Sequence, residues 1–249
     1  MSVRSIAVVS LALAACANPG ATAVPLTSSR AAPILLFNGT GTSPNDVAAV
    51  EVVLNDNHLE YSTVNSSQLN ELSEAQLCAH RLLIVPGGNF EIIGNNLTPG
   101  ATANVRNAVR NGSSYLGICA GGFFAGDSPY NGLNLTSGVR FGFYADENRG
   151  IRKAAVAITG AGTPPLEQYW EDGPQLGGWG AVVAKYPDGT PAVVEGMAGG
   201  GWVILSGVHP EAPESWRRGM RFSTPASADH AYAGTLIRAA LNRTWLPHY

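Results

Sequence analysis

The sequence predicts an α/β fold: a three-layer sandwich with a mainly parallel, flavodoxin-like central sheet and an antiparallel extension in the second half. Three observations predict it. Short apolar runs alternate with helical patterns through the first half, as in parallel sheets buried on both faces. Loops rich in Gly, Asn and Pro follow those runs, at the strand ends where open α/β sheets gather their chemistry. Beyond residue 150 the pattern changes to short strands joined by Gly and Pro turns, which reads as antiparallel pairing.

Taken in order, Pro33-Ile-Leu-Leu-Phe37 is a first strand. The loop Asn38-Gly-Thr-Gly-Thr-Ser-Pro44 follows, then a helix marked by Val47, Val50, Val53 and Leu54. Leu59 to Val64 is a second strand and Ser67 to Ala79 a weak helix. Arg81-Leu-Leu-Ile-Val85 is a third strand, closed by Pro86-Gly-Gly88. A helix from Gly100 to Arg110 leads into a fourth strand, Tyr115 to Ile118. In the second half Val156–Thr159, Ala181–Tyr186, Pro191–Glu195 and Gly201–Leu205 are strands, with a hairpin turn at Pro187-Asp188-Gly189. A final helix spans about Ser227 to Asn242.

The chain has 249 residues, 45% of them hydrophobic, enough to bury a full core, and residues 33–249 are expected to form one domain. Only 13% are charged and the formal net charge is -3, with the arginines scattered, so a nucleic-acid partner is not expected. The N-terminus, with Arg4 before the apolar stretch Ile6 to Ala15, reads as a signal peptide over residues 1–15. A flexible tether rich in Ala, Pro, Ser and Thr follows over 16–32. Leu13-Ala14-Ala15-Cys16 resembles the bacterial lipobox, which makes Cys16 a lipidation site and predicts an extracytoplasmic, membrane-anchored lipoprotein. The rival reading is ordinary cleavage near Ala21-Thr22-Ala23, leaving a secreted protein. Membrane contact is expected only through that anchor.

The run Ser114-Tyr-Leu-Gly-Ile-Cys119 ends in a cysteine followed by Ala120, Gly121 and Gly122. An apolar strand that stops at a nucleophile and continues in small residues is the pattern of a nucleophile elbow, where the start of the next helix favours thiolate. Downstream, Ile204-Leu-Ser-Gly-Val-His209-Pro-Glu211 ends a second strand in an imidazole and a carboxylate. They are the base and orienting group that such a sulfur needs, although the string alone equally describes a solvated turn. Cys78 reads as a buried small hydrophobe, with a Cys78–Cys119 bridge as the alternative in an oxidising compartment. His58 and His80 read as solvated, and His230 and His248 lie in or after the last helix. No pair of histidines has metal-ligand spacing, so neither a metal nor another cofactor is expected.

Several strings together resemble the class I glutamine amidotransferase superfamily, and within it the biotin-protein ligase N-terminal domain group. They are Phe37-Asn-Gly-Thr-Gly41, Val85-Pro-Gly-Gly88, Gly117-Ile-Cys119-Ala-Gly121, Tyr169-Trp-Glu-Asp-Gly-Pro174, Val183-Ala-Lys-Tyr186 and Ser206-Gly-Val-His-Pro-Glu211. The resemblance implies that Cys119 is the nucleophile, His209 its base and Glu211 the orienting carboxylate. Gly87, Gly88 and Ala120 would form the oxyanion hole. Asn38, Gly39, Thr40, Tyr169 and Trp170 would bind substrate, the last two from a loop walling the cleft; ordinary turn and packing roles are the competing readings. No ligase catalytic domain is recognised, and biotin attachment is not expected. The function this implies is a cysteine hydrolase of C–N amide bonds in a small-molecule or peptide substrate. A catalytically silent ligand-binding module and a redox pair of Cys78 with Cys119 are the alternatives.

Overall fold

A computed structural model describes residues 31–249, which cluster as a unit of their own. The signal peptide read over 1–15, nearly all of the tether and Cys16 lie outside the described residues. The first elements alternate as expected: β1 (Ile34–Phe37), α1 (Pro44–Asp56), β2 (Tyr61–Val64), α2 (Ser66–Glu71), α3 (Glu74–Leu77) and β3 (Leu82–Val85). Next come α4 (Phe90–Asn95), α5 (Pro99–Arg110), β4 (Ser114–Ile118) and α6 (Ala120–Ala125). The second half contains β5 (Gly142–Phe143), β6 (Lys153–Gly160), β7 (Leu166–Glu171), β8 (Pro174–Gln175), β9 (Ala181–Lys185), β10 (Pro191–Ala198), β11 (Gly201–Ser206) and α7 (Ala226–Asn242).

Nine strands form one sheet in the order β2-β1-β3-β4-β11-β10-β9-β6-β7, while β5 and β8 make a separate ribbon. The five strands from β2 to β11 run parallel and carry the flavodoxin-like 2-1-3-4-5 connectivity; the remaining four are antiparallel. Gly201–Leu205 therefore differs from its expected place in the antiparallel extension. It pairs parallel with β4 and antiparallel with β10, and is the seam between the two halves.

Strand residues alternate between two cores. Ile34, Leu36, Leu82, Ile84, Leu116 and Ile118 pack on the side of α1 and α7, whereas Leu35, Phe37, Leu83, Val85 and Tyr115 pack on the side of α5 and α6. Both faces of β1, β3, β4 and β11 are buried, which is why their sequences read as unbroken apolar runs; the edge strand β2 is only partly covered. Helix starts follow their caps: Ser43 accepts from the Asp46 N–H ahead of Pro44, and Thr98 accepts from the Ala101 N–H ahead of Pro99.

The departures have local causes. Residues 67–79 form two helices rather than one, because Ser73 starts a second capping box with Gln76 just after Leu72 turns extended. Helix α4 follows Asn89, whose side chain caps Ile92. Tyr169, Trp170 and Glu171 lie on β7 and not in a loop, paired residue by residue with β6. Cys78 is exposed at the end of α3 rather than buried, and both it and Cys119 are free thiols.

Candidate active site

Cys119 occupies the junction of β4 and α6 with φ 49 and ψ -104, a left-handed backbone conformation that costs on the order of 1–3 kcal/mol for a residue with a Cβ. The neighbourhood enforces it. The Cys119 N–H donates to Ser206 O at 2.8 Å, and its carbonyl accepts from Gly122 N at 2.9 Å as α6 begins. A Cβ on Gly121 would collide with the carbonyl of Val85, so small residues after the cysteine are what let α6 pack against β3. Sγ, on a residue only 6% exposed, approaches Glu171 O at 3.5 Å.

His209 stands just past β11, the strand next to β4. Its N–H donates to Tyr169 O at 2.8 Å, fixing the backbone to β7, while the Ser206 hydroxyl donates to Val208 O and shapes the intervening turn. Nδ1 lies 2.9 Å from Glu211 Oε1, and the rings of Tyr169 and Trp216 meet the imidazole edge-on with centroids 5.7 and 5.9 Å away. His209 and Glu211 are 4% and 1% exposed. A second carboxylate, absent from the sequence-based set, reaches the same nitrogen: Asp46 Oδ1 at 3.2 Å, from the first turn of α1.

Burial disfavours a charged imidazole, but Cys119, Glu211 and Asp46 outweigh it and hold His209 well above an ordinary histidine. Burial pushes the Glu211 carboxyl up, against the opposing pull of His209. For Asp46 burial acts upward too, yet the imidazole and the Ser43 cap bring its carboxyl below the usual range. Nε2 of His209 makes no aligned hydrogen bond with any described residue, although the thiol is close enough to act on the ring. Such pairs often align only when substrate is present.

A cavity of about 360 Å³ is lined by Cys119, Ala120, His209, Asp46, Gly88 and Glu171, with Phe90, Phe123 and Phe143 as an apolar wall. Ala120 N–H, at the start of α6, and Gly88 N–H donate to no carbonyl among the described residues, so both are free for an oxyanion. Gly87 does not line the cavity. A Cβ there would strike Asp46 Oδ1 and His209 Cε1, so glycine is needed at this position to let carboxylate and imidazole meet.

Other residues of the sequence-based set go elsewhere. Asn38, Gly39 and Thr40 line a separate depression beside α1, where the Thr40 N–H is held by the Ser66 hydroxyl. Trp170 is fully buried in the core, its Nε1 donating to Gly173 O, and cannot reach a ligand. Tyr169 walls a neighbouring chamber of about 410 Å³ that shares Asp46, Glu171 and His209 with the first and adds Lys153, Trp216 and Arg218.

Ligand atoms of Asp46, His209 and Glu211 lie within 4.8 Å of one another. A cation there would have to displace the Nδ1–Glu211 hydrogen bond, and the arrangement is that of an oriented imidazole. Sequence spacing gave no hint of Asp46, because an acid in the first turn behind a Ser-Pro start reads as an ordinary complement to the helix dipole.

Comparison with known proteins shows what the chain is similar to. Residues 32–136, which include β1 to α6, match the sequence model described as "Biotin-protein ligase, N terminal". Over that stretch the chain is similar to the biotin-protein ligase N-terminal family. Its region of similarity to the curated biotin-protein ligase of Schizosaccharomyces pombe (strain 972 / ATCC 24843) is 26% identical and covers 52% of this chain. The same region is only 25% of that ligase, so the chain spans about a quarter of the curated relative's length. Among solved structures, a glutamine amidotransferase superposes with a TM-score of 0.58 at 20% identity, covering 72% of this chain and 90% of its own. PurLQS from Thermotoga maritima reaches 0.54 at 16% identity over 83% of this chain and 99% of its own. The exo-beta-1,4-mannosidase Op5Man5 from Opitutaceae bacterium strain TAV5 reaches 0.55 at 16% identity, covering 83% of this chain but 36% of its own. These likenesses show a glutamine amidotransferase-like α/β fold.

Proposed function

We propose that the chain is a cysteine hydrolase of C–N amide bonds that works outside the cytoplasm through a thioester intermediate. The observation that carries this reading is the strained Cys119 sharing one cavity with a histidine whose Nδ1 is held by Glu211. Glu211 fixes the ring so that Nε2 is the nitrogen left for the thiol.

In the reaction, Nε2 takes the Sγ proton and the sulfur attacks the amide carbon. The developing oxyanion receives the Ala120 and Gly88 N–H groups. The tetrahedral adduct collapses as the imidazolium gives its proton to the departing nitrogen, leaving an acyl-thioester and free amine. His209 then deprotonates a water that attacks the thioester. Collapse releases the carboxylic acid, and the proton returns to the sulfur. The apolar wall of Phe90, Phe123 and Phe143 suits an aliphatic or aromatic part of the substrate.

The extracytoplasmic address rests on the sequence before residue 31 alone. Amide release from glutamine, gamma-glutamyl and muropeptide substrates, with Cys119→Ala as the blank, tests the activity; no Cys119-dependent release from any of them counts against it.

One feature favours a second reading, a silent binding module. Sγ contacts the Glu171 carbonyl rather than Nε2, and the fold also recurs within a mannosidase, so the fold does not fix the activity. Ligand binding without thiol-dependent turnover would support that reading.

A further inference from the structure

Orienting an imidazole takes one carboxylate, yet His209 Nδ1 faces two. Nδ1 carries at most one hydrogen, and Glu211 receives it at 2.9 Å. Asp46, with Oδ1 at 3.2 Å and no hydrogen bond completed there, contributes charge rather than a second bond.

Local structure brings Asp46 to that place. The Ser43 N–H donates to Gly87 O at 3.0 Å, stitching the start of α1 to the loop beneath the cavity, and the Ser43 hydroxyl accepts from the Asp46 N–H at 3.3 Å. Asp46 is thus locked in the first turn of α1, where the helix dipole stabilises a negative charge. On the facing side, Gly87 lacks the Cβ that would separate Asp46 from the ring.

We propose that Asp46 is a positioning residue that holds His209 as an imidazolium beside a Cys119 thiolate before substrate arrives, while Glu211 sets the ring's orientation. The proposal rests on the hydrolase reading and deepens it. The step moves one proton from Sγ to Nε2; the S–H bond breaks, an N–H bond forms, and the net charge of the pair is unchanged. The opposing directions of the two titrations agree with it: His209 sits above its ordinary range and Asp46 below.

Charged groups meet the ring and its cavity from several elements, with Glu91, Arg152 and Asp172 on the cavity lining. Asp46 faces the ring from α1, Cys119 from the β4–α6 junction and Glu211 from the loop after β11. From β7 come Tyr169 and Glu171, hydrogen-bonded to each other, and Lys153 and Arg218 stand in the neighbouring chamber. Those two cations oppose the imidazolium but are exposed, so water and salt screen them more than the buried carboxylates.

The test is the pH dependence of Cys119 alkylation by iodoacetamide in the full chain. It is read by mass mapping of the Cys119 peptide, because Cys78 also offers a thiol. Asp46→Asn keeps the shape and removes the charge. The expected result is a fall of about tenfold in the neutral-pH rate and a displacement of the profile by about one unit toward higher pH, with an unchanged circular dichroism spectrum. A profile that superposes on wild type overturns the proposal. Should Asp46→Asn not fold, the nitrogen-15 shifts of His209 in the wild-type protein decide. Two protonated ring nitrogens at neutral pH are expected, and a neutral ring overturns the proposal. Failure of the hydrolase reading looks different, since wild-type Cys119 would then react as a free thiol and ignore His209→Ala.

Discussion

Cys119 and Ser206 are joined by a backbone hydrogen bond of 2.8 Å across the ends of the adjacent parallel strands β4 and β11. That one bond relates the thiol to the imidazole, because His209 follows Ser206 by a single tight turn closed through Val208. The distance in sequence between the two groups collapses to one strand spacing, and the site depends on the packing that keeps β4, β11 and α6 in register.

Gly121→Ala tests that packing. The added Cβ would meet the Val85 carbonyl, so α6 must shift, at a cost of about 1–3 kcal/mol in unfolding free energy. Urea denaturation measures the loss, and Cys119 alkylation should slow in the same variant. A stability equal to wild type would show that the elbow is not held by this contact.

Trp170→Ala separates packing from recognition. The side chain is enclosed by the core beside Tyr144, and its removal is expected to cost about 3–5 kcal/mol. Loss of substrate affinity in a variant of wild-type stability would return Trp170 to the ligand-binding set.

Asp229 should make stability depend on pH. It is fully buried at the start of α7, accepts from Gln168 Nε2 at 3.0 Å, and lies 3.7 Å from an Arg217 nitrogen. Burial pushes its carboxyl up to about 7 despite the arginine. The folded state therefore holds a proton that the unfolded chain releases near about pH 4. The stabilising share is fully present below that point and is lost as pH rises through about 7. Asp229→Asn cannot titrate. Its urea midpoint should change less than wild type's between about pH 5 and about pH 8. Equal changes in both proteins would contradict the assignment.

Much of the fold was legible because parallel strands buried on both faces write themselves as apolar runs; Ile34–Phe37, Leu82–Val85 and Ser114–Ile118 all lie in the runs read from sequence. Strand β7 was not, since Leu166–Glu171 mixes charged and aromatic residues and its position is set by pairing with β6. Within the site, Cys119, His209 and Glu211 carried a signal through the turns that end their strands. Asp46 carried none, because only the folded chain places α1 against the loop at Gly87. Asn38, Gly39 and Thr40 do follow a strand end, but the Ser66 hydroxyl and the Phe37 ring draw that loop away from Cys119.

The N-terminal reading has its own test. Cys16→Ala should move the protein from the membrane fraction to the soluble fraction if Cys16 is lipidated. Unchanged fractionation would leave ordinary cleavage near Ala21-Thr22-Ala23 as the account of this segment.

Whether the sulfur of Cys119 and the imidazole of His209 act together is read from the reactivity of the thiol. Rates of Cys119 alkylation across pH, in wild type and in His209→Ala, are expected to show wild-type reaction well below the pH at which a free thiol reacts, and marked slowing in the variant. A wild-type rate that climbs only near about pH 8.5 and is indifferent to His209→Ala would contradict the account.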